Sequence, residues 1–205
     1  MVTPPRQSRS RATMERVLVA AEELLEDKPF DQITISEIAA RSSSSPTSIY
    51  ARFSDKTALL LAVHERFKER AEVRIVERLE ESDAVSSSPE DLFAIYASEL
   101  VALYRKDNHL LRSVILADSE VMYGRAAQLV STISSALADR LEPAFTADAS
   151  AAARGIDFGV RAVMAVMQQE VVFDDRTPGR FDLSDQELTT RLTGLLLDTT
   201  AQFFR

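Results

Sequence analysis

Polar side chains gather over residues 45–56: Ser45, Thr47, Ser48, Tyr50, Arg52 and Lys56, with Ile49 and Phe53 set among them. In a helix, Ile49 and Phe53 stand at i and i+4 on one face, leaving Thr47, Ser48, Tyr50 and Arg52 outside it. Ser45 is placed to cap that helix, and Pro46 takes the first helical position, where its missing N–H costs nothing. A short helix with an apolar back and a hydroxyl-rich front can meet base edges while its rear anchors in a core. Its N-terminal amides at Ser45-Pro46 also suit a phosphate oxygen. The same pattern equally fits a generic helical hairpin with no nucleic acid in view.

Other chemistries lack their residues. With no cysteine there can be no disulfide, thiolate metal site or cysteine nucleophile. His64 and His109 are isolated in sequence, and no phosphate-binding glycine loop, paired-histidine motif or nucleophile elbow occurs. The carboxylates are scattered along charged helix faces, where solvation accounts for them. An enzyme, a metal site and a cofactor are therefore not expected. The N-terminus has no apolar segment resembling a signal peptide, and apolar runs such as Leu195-Leu196-Leu197 are far too short to span a bilayer. A cytoplasmic protein with no membrane contact is expected.

The net charge of −8 is unevenly placed. Residues 1–56 hold eight Lys/Arg against eight Asp/Glu, so the remaining 149 residues carry the whole −8. Arg6, Arg9 and Arg11 precede every acid, which suits a basic arm, although solubility alone also explains three such arginines. An acidic body weakens non-specific attraction to DNA, yet local charge facing the phosphates matters more than the total.

These side chains need helices to position them, and the sequence is helical throughout. Residues 1–10, with Pro4 and Pro5, read as a flexible arm. A first helix is expected from Arg11 to Asp27, with Val17, Ala20, Ala21, Leu24 and Leu25 as its stripe, ended by Lys28-Pro29. Thr34 and Glu37 form a capping-box pair opening a short helix to Arg41, with Ile35, Ile38 and Ala39 turned inward. Ser42 to Ser45 break it before the Pro46 helix. Ser54 is expected to cap a long helix from Asp55 to Glu81, with Ile75, Val76 and Leu79 buried. Further helices are expected over 89–105, 108–116, 121–141 and 149–173, then a loop over 174–182. A last one, opened by Ser184 and Glu187, runs to Phe204. The fold class is all-α, about nine helices. The domain division expected is an arm over 1–10, a helix-turn-helix domain over 11–56 and a ligand-binding and dimerisation domain over 57–205.

Residues 34–63, TISEIAARSSSSPTSIYARFSDKTALLLAV, resemble the helix-turn-helix signature of the TetR family of transcriptional repressors. The resemblance rests on Thr34 with Glu37-Ile38-Ala39, on Ser45, Ser48-Ile49-Tyr50 and Phe53, and on Lys56 with Leu59-Leu60. It implies that Thr34 and Tyr50 contact phosphate, that Ser45, Thr47 and Ser48 lie near the major groove, and that Lys56 touches the backbone beyond. Arg9, Arg11 and Arg52 are added as basic contacts, the arm following the minor groove or backbone. Two departures stand out. Ser43 and Ser44 replace the family's glycine and apolar residue in the turn, and Thr47 stands where many relatives carry glycine.

The resemblance also implies a C-terminal body that encloses a ligand and pairs two subunits. Phe158, Ala162 and Val166 on one long helix, and Leu192, Leu195, Leu196 and Phe203 on the last, offer apolar surface for a two-fold four-helix interface. Gly155 and Gly159 would permit close backbone approach. Candidate ligand-lining residues are Phe93, Tyr96, Leu100, Tyr104, His109, Ile115, Tyr123, Met164 and Met167, which suit an apolar or aromatic effector; plain core packing explains the same residues. The implied function is a ligand-responsive transcriptional regulator, a repressor that binds palindromic double-stranded operator DNA as a homodimer and is released by a small-molecule effector. The alternative is a helical protein-interaction module with a degenerate DNA-binding head.

Overall fold

The computed structural model describes residues 6–82, 88–117, 119–146, 148–173 and 179–204, and their regular elements are helices. In chain order these are α1 (Arg6–Leu25), α2 (Ile35–Arg41), α3 (Pro46–Tyr50), α4 (Lys56–Glu81), α5 (Pro89–Lys106), α6 (Asn108–Leu116), α7 (Glu120–Leu141), α8 (Ala149–Phe173) and α9 (Asp185–Thr200). The fold is all-α, as the composition and periodicity require. Helix α1 begins at Arg6, inside the segment read as an arm, while residues 1–5 of that arm lie outside the described residues. Most of the loop expected over 174–182 also lies outside them.

The chain forms two compact units. The first holds the helices up to Phe67 together with the segment from His109 that forms most of α6. In it, Val17, Ala21, Ile33, Ile38, Ile49, Leu59 and Val63 are almost completely withdrawn from solvent. Helices of seven and five residues cannot persist alone, because helix nucleation fixes several residues for each early hydrogen bond. Burial of Ile38 and Ile49 and the caps at both N-termini hold α2 and α3 instead. Ile35, expected inside, is only half-buried. Arg66 of α4 pairs with Glu15 and, at 3.3 Å, with Glu22 of α1. The Phe30 amide donates to the Ser113 hydroxyl of α6 at 3.0 Å, a link with a separation of 83 residues that no local pattern announces.

Two helix caps differ from those the sequence suggests. The N-cap of α4 is Asp55 rather than Ser54: the Asp55 carboxylate accepts the Ala58 amide at 2.7 Å, and Ser54 donates to that carboxylate at 3.1 Å. A carboxylate one residue nearer the first turn reaches its free amides and meets the positive end of the helix dipole. Helix α5 carries a capping box of Ser88 and Asp91 beyond the expected proline start.

In the second unit α5 packs against α9 and α8, and α7 covers α8. Phe93, Tyr96, Ala97, Leu137, Ile156, Val163, Met167 and Leu196 are sealed in its core. Gly155 and Gly159 face α9 of the same chain. A methyl group on Gly155 would sit 2.6 Å from the Phe203 ring, and one on Gly159 would lie 2.8 Å from the Thr199 hydroxyl. Their close approach is thus used within the protomer. Phe204 joins Phe93 and Phe145 in an aromatic cluster, with ring centroids 6.1 and 5.7 Å apart. On α4, Val76 is half-buried while Ile75 and Leu79 are enclosed. The Glu99 carboxylate, largely withdrawn from water, accepts from Arg74 at 2.6 Å and Arg78 at 3.2 Å, tying α4 to α5.

Ser43 adopts φ 52°, a left-handed backbone in the turn between α2 and α3. A Cβ in that conformation costs about 1–2 kcal/mol, which glycine escapes. Ser43→Gly is expected to stabilise the first unit by about 0.5–1 kcal/mol, the relief of strain less the larger chain entropy that glycine loses on folding. Urea unfolding followed by a probe in that unit should give a higher midpoint at unchanged slope; a lower midpoint would contradict the strain argument.

Candidate nucleic-acid interface

The polar face of the first unit is built from its caps outward. Thr34 accepts the Glu37 amide at 3.2 Å through its hydroxyl, and Glu37 reaches back to the Thr34 amide at 2.7 Å. The Thr34 hydroxyl also donates to Glu37 at 2.8 Å, and Lys28 closes the group with a 2.6 Å ion pair to the same carboxylate. The Thr34 hydroxyl is therefore engaged as a cap. The Ser45 hydroxyl accepts the Ser48 amide at 3.1 Å and starts α3 beside Pro46.

Along α3 the two faces separate cleanly. Ile49 is completely buried, whereas Tyr50 is 53% exposed and Thr47 and Ser45 are exposed. Ser48 is half-buried, and its hydroxyl accepts from Arg52 at 2.9 Å. Arg52 also donates to the Ser48 carbonyl at 2.7 Å and to the Ser10 hydroxyl of α1 at 3.5 Å. Phe53 closes the core behind. Lys56 lies over the Phe30 ring at 4.9 Å and donates to the Asp31 carbonyl at 3.1 Å, and partial burial lowers its pKa from the ordinary lysine value. One ammonium hydrogen is held in that contact, leaving others for a further acceptor. Arg11 is exposed on α1, while the side chain of Arg9 lies outside the described residues.

The open donors are thus Ser45 at the start of α3, Thr47 and Tyr50 on it, Lys56 beyond it and, separately, Arg11 on α1, with Thr34, Ser48 and Arg52 tied into the scaffold. Sequence reasoning missed two supports: Arg16, which donates to the Ser42 carbonyl at 3.3 Å, and the Lys28–Glu37 pair. Neither has a local spacing that signals it. An open groove of about 230 Å³ lies beside the turn, between Glu15, Val19 and Glu23 of α1 and Arg41, Ser42 and Ser43. Among the described residues no cluster of three or more His, Asp or Glu could hold a metal ion. No helix among them is long and apolar enough to cross a membrane.

The expected ligand residues divide between the units. Phe93, Tyr96, Leu100, Met164 and Met167 are buried in the second unit, and Tyr104 is nearly so. His109 and Ile115 are half-buried and belong to the first unit, and Tyr123 is 57% exposed on α7. A cavity of only about 60 Å³ lies among Tyr104, Arg105, Asn108, Met167, Glu170 and Val171. Arg105 is held at its rim by Asp185 at 2.8 Å and Glu170 at 3.5 Å. Burial raises the pKa of both Tyr96 and Tyr104, so these phenols stay protonated, and the Tyr96 hydroxyl is buried without a hydrogen-bond partner. Of the expected subunit-facing residues, Phe158 is 57% exposed, and Ala162, Val166, Leu195 and Phe203 are half-buried. Leu192 and Leu196 are corrected to core: they lie on the face of α9 that packs inside the protomer, and are 2% and 0% exposed.

Glu37 supplies a test of this scaffold. The hydrogen bond from Lys28, followed by those from Thr34, lowers its pKa from 4.5 to about 2. Since the folded value lies below the unfolded one, the stabilisation is complete above pH 4.5 and is lost as the pH falls toward about 2. Glu37→Gln should flatten the dependence of stability on pH across that window, read by urea midpoints at successive pH values. An unchanged acid limb would show that other carboxylates set it.

Residues 17–63 match the family model described as bacterial regulatory proteins, tetR family. No curated protein matches the chain. A transcriptional regulator from Cytophaga hutchinsonii superposes with TM-score 0.72 at 17% identity, over 94% of this chain and 98% of that one. A TetR transcriptional regulator from Rhodococcus sp. RHA1 gives 0.62 at 18% identity, covering 93% and 97% of the two chains. The transcriptional regulator FadR from Bacillus subtilis, solved with stearoyl-CoA, gives 0.58 at 18% identity over 92% and 98%. At these identities the likeness speaks for the fold, and the family model speaks for the N-terminal segment. The chain thus carries the helix-turn-helix domain of the TetR family of bacterial regulatory proteins, on the fold shared by solved regulators over nearly its whole length.

Proposed function

We propose that this protein is a ligand-responsive transcriptional repressor that binds palindromic operator DNA as a homodimer. The observation that carries the reading is α3, where Ile49 is sealed in the core while Thr47 and Tyr50 stand in solvent. Thr47, with Ser45 at the helix start, faces base edges in the major groove; Tyr50, Arg11 and Lys56 engage phosphate. Residues 11–56 then form the DNA-binding domain and 57–205 the ligand-binding and dimerisation domain, led in by a basic segment that from Arg6 onward is the start of α1. One five-residue helix reads few base pairs, so two copies supply the affinity a repressor needs. Exposed Phe158 with half-buried Ala162, Val166, Leu195 and Phe203 is the surface for pairing.

The effector site is assigned to the second unit around the cavity beside Tyr104 and Met167. At about 60 Å³ it has room for only a few waters, whereas effector pockets usually span about 300–1,000 Å³. An apolar or aromatic effector must therefore select a more open arrangement of α5 and α8, and the unpartnered Tyr96 hydroxyl offers it a hydrogen bond. Release follows if the effector binds the DNA-incompetent state more tightly than the competent one. A neighbour of this fold solved with an acyl-CoA supports a small-molecule effector.

Fluorescence anisotropy at fixed physiological salt, on duplex DNA from upstream of the protein's own gene, tests the reading. Tyr50→Phe is expected to weaken specific binding about threefold to tenfold, as loss of one hydrogen bond to phosphate would. Equal binding of that DNA and a scrambled duplex, with no effect of Tyr50→Phe, would favour the helical interaction module.

A further inference from the structure

Arg52 looks from its sequence position like one more cation for the phosphates, but its guanidinium is already committed. One nitrogen donates to both the carbonyl and the hydroxyl of Ser48, at 2.7 and 2.9 Å, and the other reaches Ser10 on α1 at 3.5 Å. The backbone does not supply the Ser48 carbonyl's bond from the next turn, because the Arg52 amide turns to Ile49 at 2.9 Å. The side chain of Arg52 thus provides the donor that this carbonyl would otherwise lack. It also places a cation at the C-terminal end of α3, where the helix dipole favours positive charge. The Arg52 Nε atom is buried, so the root of the guanidinium lies within the protein. A helix of five residues has no length from which to draw its own rigidity. Its N-terminus is fixed by Ser45 and its middle by Ile49; Arg52 fixes its far end and fastens it to α1.

We propose that Arg52 is a positioning residue for sequence recognition: it clamps α3 to α1 and sets Thr47 and Tyr50 in register without itself contacting DNA. The inference rests on the proposed DNA-binding reading and separates two roles that a basic residue beside a recognition helix can have. A phosphate contact adds affinity for every sequence and contributes about 0.9 to the slope of log affinity against log salt. A clamp adds affinity only where base edges must be met in register, and leaves that slope alone. The two roles also respond differently to lysine, which keeps the charge but loses the planar fork that bonds Ser48 and Ser10 together.

The experiment measures binding of wild type, Arg52→Ala, Arg52→Lys and Ser10→Ala to a duplex selected from a randomised pool and to a scrambled duplex, across a salt series. Circular dichroism and thermal unfolding of each variant establish that the folded protein is what binds. The expected result is about a tenfold loss of specific affinity for Arg52→Ala, with scrambled-duplex affinity and the salt slope unchanged. Arg52→Lys should fail to restore it, and Ser10→Ala should lose about twofold to threefold. A merely structural role would lower the folded fraction and depress both duplexes together. A slope shallower by about 0.9 in Arg52→Ala, with Arg52→Lys behaving as wild type, would overturn the proposal and make Arg52 a phosphate contact. If Arg52→Ala does not fold, the slope and specificity of Arg52→Lys decide between the two. If wild type itself selects no sequence and binds both duplexes alike, the DNA-binding reading fails first, and the clamp with it.

Discussion

A helix of five residues must borrow its shape, and most of the first unit's order follows from that constraint. Helices this short form too few internal hydrogen bonds to offset the ordering of their ends. The unit compensates at each terminus. Thr34 and Glu37 close the start of α2, Ser45 and Pro46 the start of α3, and Asp55 the start of α4. Behind them Ile38, Ile49 and Phe53 share one small core with α1 and the first turns of α4. Most polar groups near α3 are consumed in this work, and the few left over define the face open to a partner.

Charge is apportioned in the same way. Much of it in the first unit is paired: Lys28 with Glu37, Arg41 with Glu23, Arg66 with Glu15 and Glu22. The exposed Arg41–Glu23 pair contributes little to stability, while Lys28 and Arg66 are half-buried in theirs. Among the unit's described side chains, Arg11 is exposed and Lys56 meets the Asp31 carbonyl and the Phe30 ring rather than a carboxylate, so both keep charge for a further partner. In the proposed reading, that charge lets a chain of net charge −8 approach DNA.

Helix existence and type were legible almost throughout, because apolar residues at three- and four-residue spacing, the capping pairs at Thr34 and Ser184 and the proline start at Pro89 are local signals. The positions of α2 and α8 could be read to the residue. What sequence could not supply was long-range. Nothing near Phe30 points to Ser113, and the segment from His109 looks like one more helix of the body until its packing with the first unit is seen. The α9 stripe was visible, but which half faces inward was not. Leu192 and Leu196 point into their own protomer, Leu196 against Gly159 of α8. On the candidate interface, spacing identified the outer face of α3 but could not tell open side chains from engaged ones. Thr34 and Arg52 carry the right chemistry and are held by neighbours, whereas Thr47 and Tyr50 are free to meet a partner.

The central claim is that the outer face of α3, presented twice by a symmetric dimer, reads DNA sequence. Selection from a randomised duplex pool by the full-length protein, followed by sequencing of the retained DNA, tests it most directly. The account predicts enrichment of a two-fold symmetric motif, its half-sites spaced so that each meets one subunit. A retained pool with no sequence preference, or one selected for an asymmetric single site, would contradict it.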